Sequence, residues 1–285
     1  MIIITGAAGF IASHLCKKLN AHGINNIIIV DDFTQENKRK NWENLEYVDK
    51  IQRDQFFFWA DKNVQHIDFI FHLGARTDYF STDYDIFEIL NIDFSQRIWS
   101  FATLKRIPLI YASSYLTNDV REQYLLAKSK YIFDQWIEKQ KQTPPFWAGL
   151  KFFQVYGKNE EHKAKNASMV HRMYRKYLEK ASLIRVEKNI TQDYIYVNDV
   201  SKVLYYFLNH TPQSGIYEVG TGFARTLQAI VDAIHKTVQP EQKLIFEYQK
   251  EERFVFQADV TPLRKYAYKQ AFLSLEQGVQ SMCRN

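Results

Sequence analysis

Three features of the sequence predict an α/β protein built on a parallel sheet. The chain opens with an apolar run, residues 2–4, which leads through a glycine-containing turn into a helical pattern. Apolar runs of strand length then alternate with helix-length segments to about residue 155. The length of 285 residues allows one extended domain or two smaller ones. Because strands that alternate with helices form parallel sheets covered on both faces, we expect a doubly wound sheet.

The turn after the first strand indicates a ligand for this sheet. Gly6 permits a tight turn, Gly9 lets the backbone approach a bound group, and Ala12 is small enough for the helix to pack on the strand. The start of the following helix offers amide N–H groups and a positive dipole to phosphates. This order of strand, glycine turn and helix is typical of the Rossmann dinucleotide-binding fold.

A second strand, residues 27–30, ends in a pair of acids, Asp31 and Asp32. This spacing places a carboxylate where the adenosine ribose hydroxyls of a dinucleotide would bind. The alternative is a glycine turn in an α/β protein that binds no nucleotide. The order of strand, turn, helix, strand and acid favours the nucleotide.

The remaining elements follow from apolar periodicity. Strands are predicted at 69–73, 109–112 and 147–153, helices at 85–106, 122–141 and 168–180, and a polar loop at 160–166. We expect residues 1–157, joined by a later segment at about 190–235, to form the dinucleotide-binding domain. Residues 158–285 should form mainly a smaller substrate-binding part, because loops beyond the carboxyl edge of such a sheet hold substrates.

Composition excludes several classes of protein. Hydrophobic residues make up 46% and charged residues 24% of the chain, as in soluble globular proteins. No apolar run approaches the roughly 20 residues of a membrane helix, and the start of the chain reads as a strand rather than a signal peptide. Cys16 and Cys283 form neither a disulfide framework nor a metal pattern. We therefore expect a cytoplasmic protein without a metal, and the net charge of +5 is too scattered for a nucleic-acid surface.

Several stretches carry a resemblance to a known family. The chain resembles the extended short-chain dehydrogenase/reductases that act on nucleotide sugars, and within them it is most similar to the ADP-glycero-manno-heptose 6-epimerases. The pair His162-Lys163 and the run Gln257-Ala258-Asp259 point to these epimerases in particular. The matching stretches are residues 3–11, 30–32, 71–75, 111–114, 153–157, 162–163, 193–200, 218–222 and 257–260.

The resemblance implies redox epimerisation with a tightly bound NADP or NAD, a nucleotide-sugar substrate, a homo-oligomer and a role in lipopolysaccharide synthesis. The cofactor carries the hydride chemistry, and the protein supplies position and acid–base groups. By position, the residues implied to bind the cofactor are Gly6, Gly9, Phe10, Ile11, Asp31, Asp32, Lys38, Arg53, Leu73, Gly74, Ala75, Arg76, Thr77, Asn91, Lys130 and Val155.

The choice between NADP and NAD stays open in the sequence. Lys38 and Arg53 match basic residues that could hold a 2′-phosphate, which favours NADP, whereas an acid at the end of the second strand favours NAD. Lys38 also lies in a basic run, so a solvated loop charge is the alternative.

The catalytic residues are implied by the family's Ser, Tyr and Lys, in which the Lys lies four residues after the Tyr and both occupy one helix face. Ser114 matches the Ser. Tyr124 and Lys128 have the required spacing. In a second register Lys130 is the Lys, because only Lys130 is followed by the family's aromatic-aliphatic-aromatic-acid run, and Leu126 then occupies the Tyr position. The helix pattern favours Lys130.

The part of the chain that would hold the sugar departs from the family. Gln192 replaces an Arg expected to bind a diphosphate, and Gln154 replaces an Asn. Lys163 is retained at the position of a second proton-transfer residue, with a solvated loop lysine as the alternative. The substrate residues implied are Gln154, Lys163, Lys165, His171, Gln192 and Phe254.

Two functions therefore compete: an epimerase, and a catalytically impaired relative that binds NAD(P) without turnover. A different nucleotide sugar is a third, weaker option.

Overall fold

A computed structural model describes residues 1–118, 124–179, 183–186, 189–238, 245–248 and 253–284. The chain forms two compact units. The first contains Met1–Lys151 and Ser201–Tyr217, and the second contains Phe152–Val200 and Glu218–Asn285. No helix within the described ranges is long and apolar enough to span a bilayer.

The strands and helices are numbered separately in chain order. The strands are β1 (Ile2–Thr5), β2 (Ile27–Asp31), β3 (Asp49–Gln52), β4 (Phe69–His72), β5 (Leu109–Ser114), β6 (Trp147–Phe152), β7 (Gln154–Tyr156), β8 (Leu183–Val186), β9 (Asn189–Tyr196), β10 (Gly215–Val219), β11 (Ala224–Arg225), β12 (Ile245–Tyr248) and β13 (Arg253–Phe256). The helices are α1 (Phe10–Asn20), α2 (Arg39–Trp42), α3 (Phe56–Asn63), α4 (Tyr84–Phe87), α5 (Phe94–Lys105), α6 (Leu125–Glu138), α7 (Met169–Leu178), α8 (Val197–Asn209), α9 (Leu227–Val238), α10 (Thr261–Tyr266) and α11 (Leu275–Cys283).

A seven-stranded sheet with the order β10-β6-β5-β4-β1-β2-β3 is the main element of the fold. Strand β1 pairs in parallel with β2 on one side and with β4 on the other. The chain thus runs outward through β2 and β3 and returns to the opposite side of β1 for β4. Ligands of such sheets bind at the carboxyl ends of the strands where this direction reverses. The predicted Rossmann-type doubly wound parallel sheet is confirmed.

The central strands β1 and β4 of this sheet are buried because helices cover them. All four residues of β1 and of β4 are buried, and Ile3, Ile28 and Ile70 belong to one core cluster. Trp99 of α5 and Phe133 of α6 pack in the same cluster. Continuous burial along a strand is the pattern of a parallel sheet with both faces covered.

The predicted helix at 85–106 is not a single α-helix. Between α4 and α5 the segment Glu88–Asp93 forms a π-helical turn. Such a turn changes the direction in which its side chains point, and here it contains the fully buried Asn91. The prediction was wrong at this point because apolar periodicity does not reveal a local change of helical pitch.

The other predicted elements shift by a few residues. The helix predicted at 122–141 is α6, which begins at Leu125, and Glu122 lies outside the described residues. The helix predicted at 168–180 is α7, which ends at Leu178, and Lys180 is likewise outside them. The loop predicted at 160–166 forms 3-10 turns over Glu161–Asn166, interrupted at Ala164.

The second unit contains smaller sheets. Strand β9 lies between β11 and β13 and also pairs with β7, while β8 pairs with β12. The buried carboxylate of Asp193 in β9 accepts hydrogen bonds from the backbone amides of Thr221, Gly222 and Ala258. Helix α9 packs against α11 in this unit.

Candidate active site

The glycine turn after β1 has the geometry of a phosphate cradle. Gly6 has a φ of 71°, and a Cβ atom at this residue would lie 2.5 Å from the Cα of Gly74. A Cβ at Gly9 would lie 2.9 Å from the carbonyl oxygen of Gly6. Both positions therefore require glycine.

Helix α1 starts directly after this cradle. Its N-cap is Gly9, which has no side chain to satisfy the first amides, and the first turn carries no acid. Free amides and a positive dipole at a helix start bind phosphate, so this end of β1 fits the pyrophosphate of a dinucleotide. Phe10 is buried and Ile11 is partly exposed at this point. Their contact with a pyrophosphate stays a prediction.

The two acids at the end of β2, Asp31 and Asp32, form different contacts. The Asp31 Oδ2 atom accepts a hydrogen bond of 2.9 Å from the backbone amide of Ala8, so this carboxylate stabilises the glycine turn. Burial raises the pKa of Asp31, and the charge of Lys38 partly opposes the rise. Asp32 accepts hydrogen bonds from Thr34 and Gln35, which lower its pKa to about 2. Asp32 is therefore ionised at neutral pH.

The two candidate 2′-phosphate ligands both have acidic neighbours. Lys38 Nζ lies 3.8 Å from Asp31 Oδ1. Arg53 Nε donates to Asp54 Oδ1 at 2.9 Å, and the Arg53 charge also contributes to the low pKa of Asp32. Both cations thus lie at the acid pair where the adenosine end is predicted to bind.

Side chains from other elements hold the main chain of the segment after β4. The Gly74 amide donates to Thr5 Oγ1, and the amide and carbonyl of Arg76 both pair with the Asn91 side chain, at 2.7 and 3.0 Å. The Arg76 guanidinium contacts Asp78, while its buried Nε has no hydrogen-bond partner among the described residues. Leu73 and Ala75 are partly exposed and Thr77 is exposed.

His72 lies in the buried strand predicted at 69–73, but the sequence did not predict its structural role. His72 Nδ1 lies 2.7 Å from Thr5 Oγ1, and His72 Nε2 lies 2.8 Å from Ser95 Oγ. Burial lowers the pKa of His72 to about 3, with a smaller effect from the charge of Lys130. The neutral ring joins β1, β4 and α5. A polar residue at the end of an otherwise apolar strand was the available signal.

Helix α6 settles which lysine lies against the sheet. Lys130 is 4% exposed, and its Nζ donates to the Ala112 carbonyl oxygen of β5 at 2.7 Å. Lys128 is exposed, with its Nζ 5.2 Å from the centroid of the Tyr84 ring. Leu126 is buried one turn before Lys130, and Tyr124 is the partly buried N-cap of the helix. The structure thus brings Lys130 to β5, which ends at Ser114, and leaves Lys128 on another face.

Burial changes the acid–base properties of Lys130. It lowers the pKa of this lysine to about 8, and the charge of Asp134 partly opposes the change. Asp134 accepts hydrogen bonds from Tyr111 Oη at 3.0 Å and from Ser113 Oγ at 2.6 Å. Sequence reasoning assigned Asp134 no role, although it follows Lys130 by one helical turn.

In the second unit, the predicted substrate residues lie on several elements. Lys163 Nζ donates to Glu160 Oε2 at 3.0 Å, and Lys165 of the same segment is exposed. Gln192 is buried on β9, where its Oε1 accepts a hydrogen bond from Tyr194. The remaining predicted substrate residues of this unit are Gln154 on β7, His171, which is buried on α7, and Phe254, which is partly buried on β13. Val155 on β7, which was predicted to bind the cofactor, also belongs to this unit.

Comparison with known proteins decides the family. The profile of the NAD dependent epimerase/dehydratase family matches residues 2–220. The chain belongs to this family. The predicted family is therefore confirmed, and so is the predicted use of a nicotinamide dinucleotide.

Two curated members of the epimerase/dehydratase family are similar over almost the whole chain, and both are named ADP-L-glycero-D-manno-heptose-6-epimerase. The relative from Fusobacterium nucleatum is 34% identical over 100% of this chain and 97% of its own. The relative from Brachyspira hyodysenteriae is 31% identical over 98% of this chain and 96% of its own. Both names agree with the epimerase expected from the sequence.

Solved structures of the family share the fold. The Helicobacter pylori ADP-L-glycero-D-manno-heptose-6-epimerase has a TM-score of 0.84 at 22% identity, covering 99% of this chain and 94% of its own. The UDP-glucuronic acid 4-epimerase variant of Bacillus cereus, solved with NAD and a fluorinated sugar nucleotide, has a TM-score of 0.83 at 20% identity, covering 99% and 97%.

Proposed function

We propose that this protein is an NAD(P)-dependent epimerase that acts on ADP-glycero-manno-heptose at C6. The observation that carries the proposal is the 34% identity, over the full chain, to a curated protein of that name. The described geometry supports the cofactor half of it, because the glycine cradle, the acid pair and the buried Lys130 all lie in the first unit.

Residues of the first unit would bind the cofactor and supply a charge and a hydrogen bond at the reacting oxygen. The chemistry that a bound nicotinamide dinucleotide would supply is reversible hydride transfer to and from the sugar. The cradle of Gly6 and Gly9 binds the pyrophosphate through backbone amides. Asp32, ionised and partly exposed, accepts a hydrogen bond from a ribose hydroxyl. Lys130 supplies a positive charge, and Ser114 donates a hydrogen bond to the reacting oxygen.

Proton transfer at the C6 hydroxyl oxygen of the sugar is the open step, because the retained register has Leu126 where the family has Tyr. We assign one proton transfer to Lys163, on the strength of the retained His162-Lys163 pair. Substrate contacts are assigned to Gln154, Lys165, His171, Gln192 and Phe254 by position alone.

A second candidate function rests on specific residues. Leu126 carries no proton, and the neutral Gln192 cannot form the bidentate pair that an Arg forms with a diphosphate. These two residues favour a relative that binds NAD(P), and also a nucleotide sugar, without turnover. The two candidates differ in activity and not in cofactor binding.

The deciding experiment is mass spectrometry of the native protein with ADP-D-glycero-D-manno-heptose, reading bound cofactor and C6 configuration together. Bound cofactor with converted sugar supports the epimerase. Bound cofactor with unchanged sugar contradicts it and supports the impaired relative or another sugar. Absence of bound cofactor, with no binding on addition of NAD or NADP, contradicts both.

The preference between the two cofactors is testable at Lys38 and Arg53. We expect Lys38→Ala and Arg53→Ala each to raise the Kd for NADP about 10-fold, because a charge-assisted hydrogen bond to phosphate contributes about 1.5–3 kcal/mol. The Kd for NAD should change less than about threefold on the same scale of energies. Nicotinamide fluorescence titration measures both, and Lys40→Ala, at an exposed position of the same basic run, is the control. Equal losses for NAD and NADP would show that these cations bind no 2′-phosphate.

The expected homo-oligomer, the cytoplasmic location, the role in lipopolysaccharide synthesis and the assignment of sugar binding mainly to the second unit are parts of the same proposal. They are supported by the family resemblance.

A further inference from the structure

A fully buried carboxylate organises the segment that contains Lys163. Glu160 is 0% exposed. Each of its two carboxylate oxygens accepts two hydrogen bonds. Oε1 accepts from the Gly157 amide at 3.0 Å and from Ser168 Oγ at 2.7 Å. Oε2 accepts from the Ser168 amide at 2.7 Å and from Lys163 Nζ at 3.0 Å.

Such a carboxylate is unfavourable to bury unless donors satisfy it, so these four contacts belong together. Two of the donors are main-chain amides at Gly157 and Ser168, the two ends of the segment. Glu160 therefore closes the segment into a loop and at the same time binds the ammonium group of Lys163 from below, leaving that side chain 22% exposed.

The backbone beside Lys163 shows that the loop is held in place by its surroundings. Ala164 has a φ of 47° and a ψ of −119°, an unfavourable conformation for a residue with a Cβ. A conformation of this kind costs about 1–3 kcal/mol and persists only where neighbouring contacts fix it. The bonds of Glu160 to both ends of the loop are contacts of that kind.

We propose that Glu160 is a positioning residue that acts through Lys163. Its carboxylate fixes the Lys163 ammonium at one point, so that the lysine exchanges its proton with the sugar from a defined direction. This inference rests on the proposed function, in which Lys163 is a proton-transfer residue. Glu160 itself touches neither sugar nor cofactor in this account.

The test is a double-mutant cycle of Glu160→Gln and Lys163→Ala. We expect Glu160→Gln to lower kcat at least 10-fold with KM changed less than about threefold, because a misplaced acid–base group affects the transition state more than binding. If Glu160 acts through Lys163, the double variant loses no more than Lys163→Ala alone. Losses that multiply would assign Glu160 a purely structural role and overturn the proposal. Glu161→Gln, the same change at the exposed neighbouring residue, is the control.

A second readout does not depend on turnover. Amine-reactive labelling, read by peptide mass spectrometry, gives the ratio of modified Lys163 to modified Lys165. We expect this ratio to rise at least threefold in Glu160→Gln, because the ion pair that shields Lys163 is lost, and to stay unchanged in Glu161→Gln. An unchanged ratio in Glu160→Gln overturns the proposal. If Glu160→Gln does not fold, Glu160→Asp replaces it, because this change keeps the charge and shortens the side chain. We expect Glu160→Asp to raise the labelling ratio by a smaller factor, and an unchanged ratio in this variant would also overturn the proposal.

The two readouts separate this inference from the proposed function. A native protein that leaves the heptose unchanged refutes the epimerase and the catalytic part of the inference, while the labelling ratio still decides whether Glu160 holds Lys163. An active protein in which Lys163→Ala turns over normally refutes the positioning role and leaves the epimerase standing.

Discussion

Replacing Gly6 by alanine is expected to abolish cofactor binding and to destabilise the protein by about 2–5 kcal/mol, as the sum of left-handed backbone strain and overpacking. Gly6 has a φ of 71°, and an added Cβ would lie 2.5 Å from the Cα and 2.6 Å from the amide nitrogen of Gly74. Neither neighbour is the end of a flexible side chain. The turn after β1 would therefore have to move, and with it the cradle at the start of α1.

Gly23 is a matched control for Gly6. It has nearly the same φ, 72°, but a Cβ there would meet no atom within 4 Å. Gly23→Ala should therefore show the backbone strain alone, about 1–2 kcal/mol, and leave cofactor binding unchanged. Urea denaturation and titration with NAD and NADP measure the two effects. If Gly6→Ala and Gly23→Ala lose the same free energy of unfolding and Gly6→Ala still binds cofactor, close contact with Gly74 is not the reason why residue 6 must be glycine.

Residues whose roles depend on local backbone could be predicted from the sequence. Gly6, Gly9 and the Asp31-Asp32 pair lie at fixed offsets from two apolar strands, so spacing alone indicated the cradle and the acids. The burial of β1 and β4 likewise follows from the three consecutive apolar residues with which each strand begins.

Residues whose roles depend on contacts distant in sequence could not be predicted. His72 hydrogen-bonds to Thr5, 67 residues away, and the Asn91 side chain, which lies in the π-helical turn, hydrogen-bonds to the main chain of Arg76, 15 residues away. Glu160 has sequence neighbours that look like a solvated polar loop, yet it is fully buried. No periodic pattern marks such positions, because their environment is made by other elements of the fold.

The choice between Lys128 and Lys130 shows how far pattern reasoning extends. The run after Lys130 favoured that residue, and the structure buries Lys130 against β5 while Lys128 is exposed. The catalytic roles of both lysines stay predictions, since burial and a hydrogen bond to Ala112 do not demonstrate chemistry.

Lys130→Met is expected to lower kcat by about 10²–10⁴-fold, the usual contribution of an acid–base group, whatever residue replaces the missing tyrosine. Because the pKa of Lys130 is about 8, turnover of the unmodified protein should fall as the pH rises through 8 and the ammonium loses its charge. The variant should lack this dependence in its residual activity. Lys128→Met is the control, since Lys128 is exposed on another face of α6.

Lys130→Met should also raise the free energy of unfolding at pH 7. The pKa of Lys130 is lower in the folded protein, about 8, than its ordinary value of 10.5, so between these values the unfolded chain binds more protons. The stability of the unmodified protein therefore increases with pH in this window. We expect Lys130→Met to have a higher Tm than the unmodified protein at pH 7. The difference between the two Tm values should decrease above pH 8. A variant that is both inactive and less stable at pH 7 would show that Lys130 is needed mainly for packing.

Leu126→Tyr tests whether the missing tyrosine limits activity, because it places a phenol one helical turn before Lys130, on the same helix face. If the protein is an impaired relative, this variant should gain epimerase activity from none. If the protein is already active, the gain should be small, and Tyr124→Phe then tells whether the N-cap tyrosine supplies the proton. A large loss in Tyr124→Phe, combined with unchanged turnover in Lys130→Met, would transfer the catalytic pair to Tyr124 and Lys128 and refute the Lys130 register. A loss in Lys130→Met with full activity in Tyr124→Phe would assign the missing proton to Lys163, to water or to Lys130 itself.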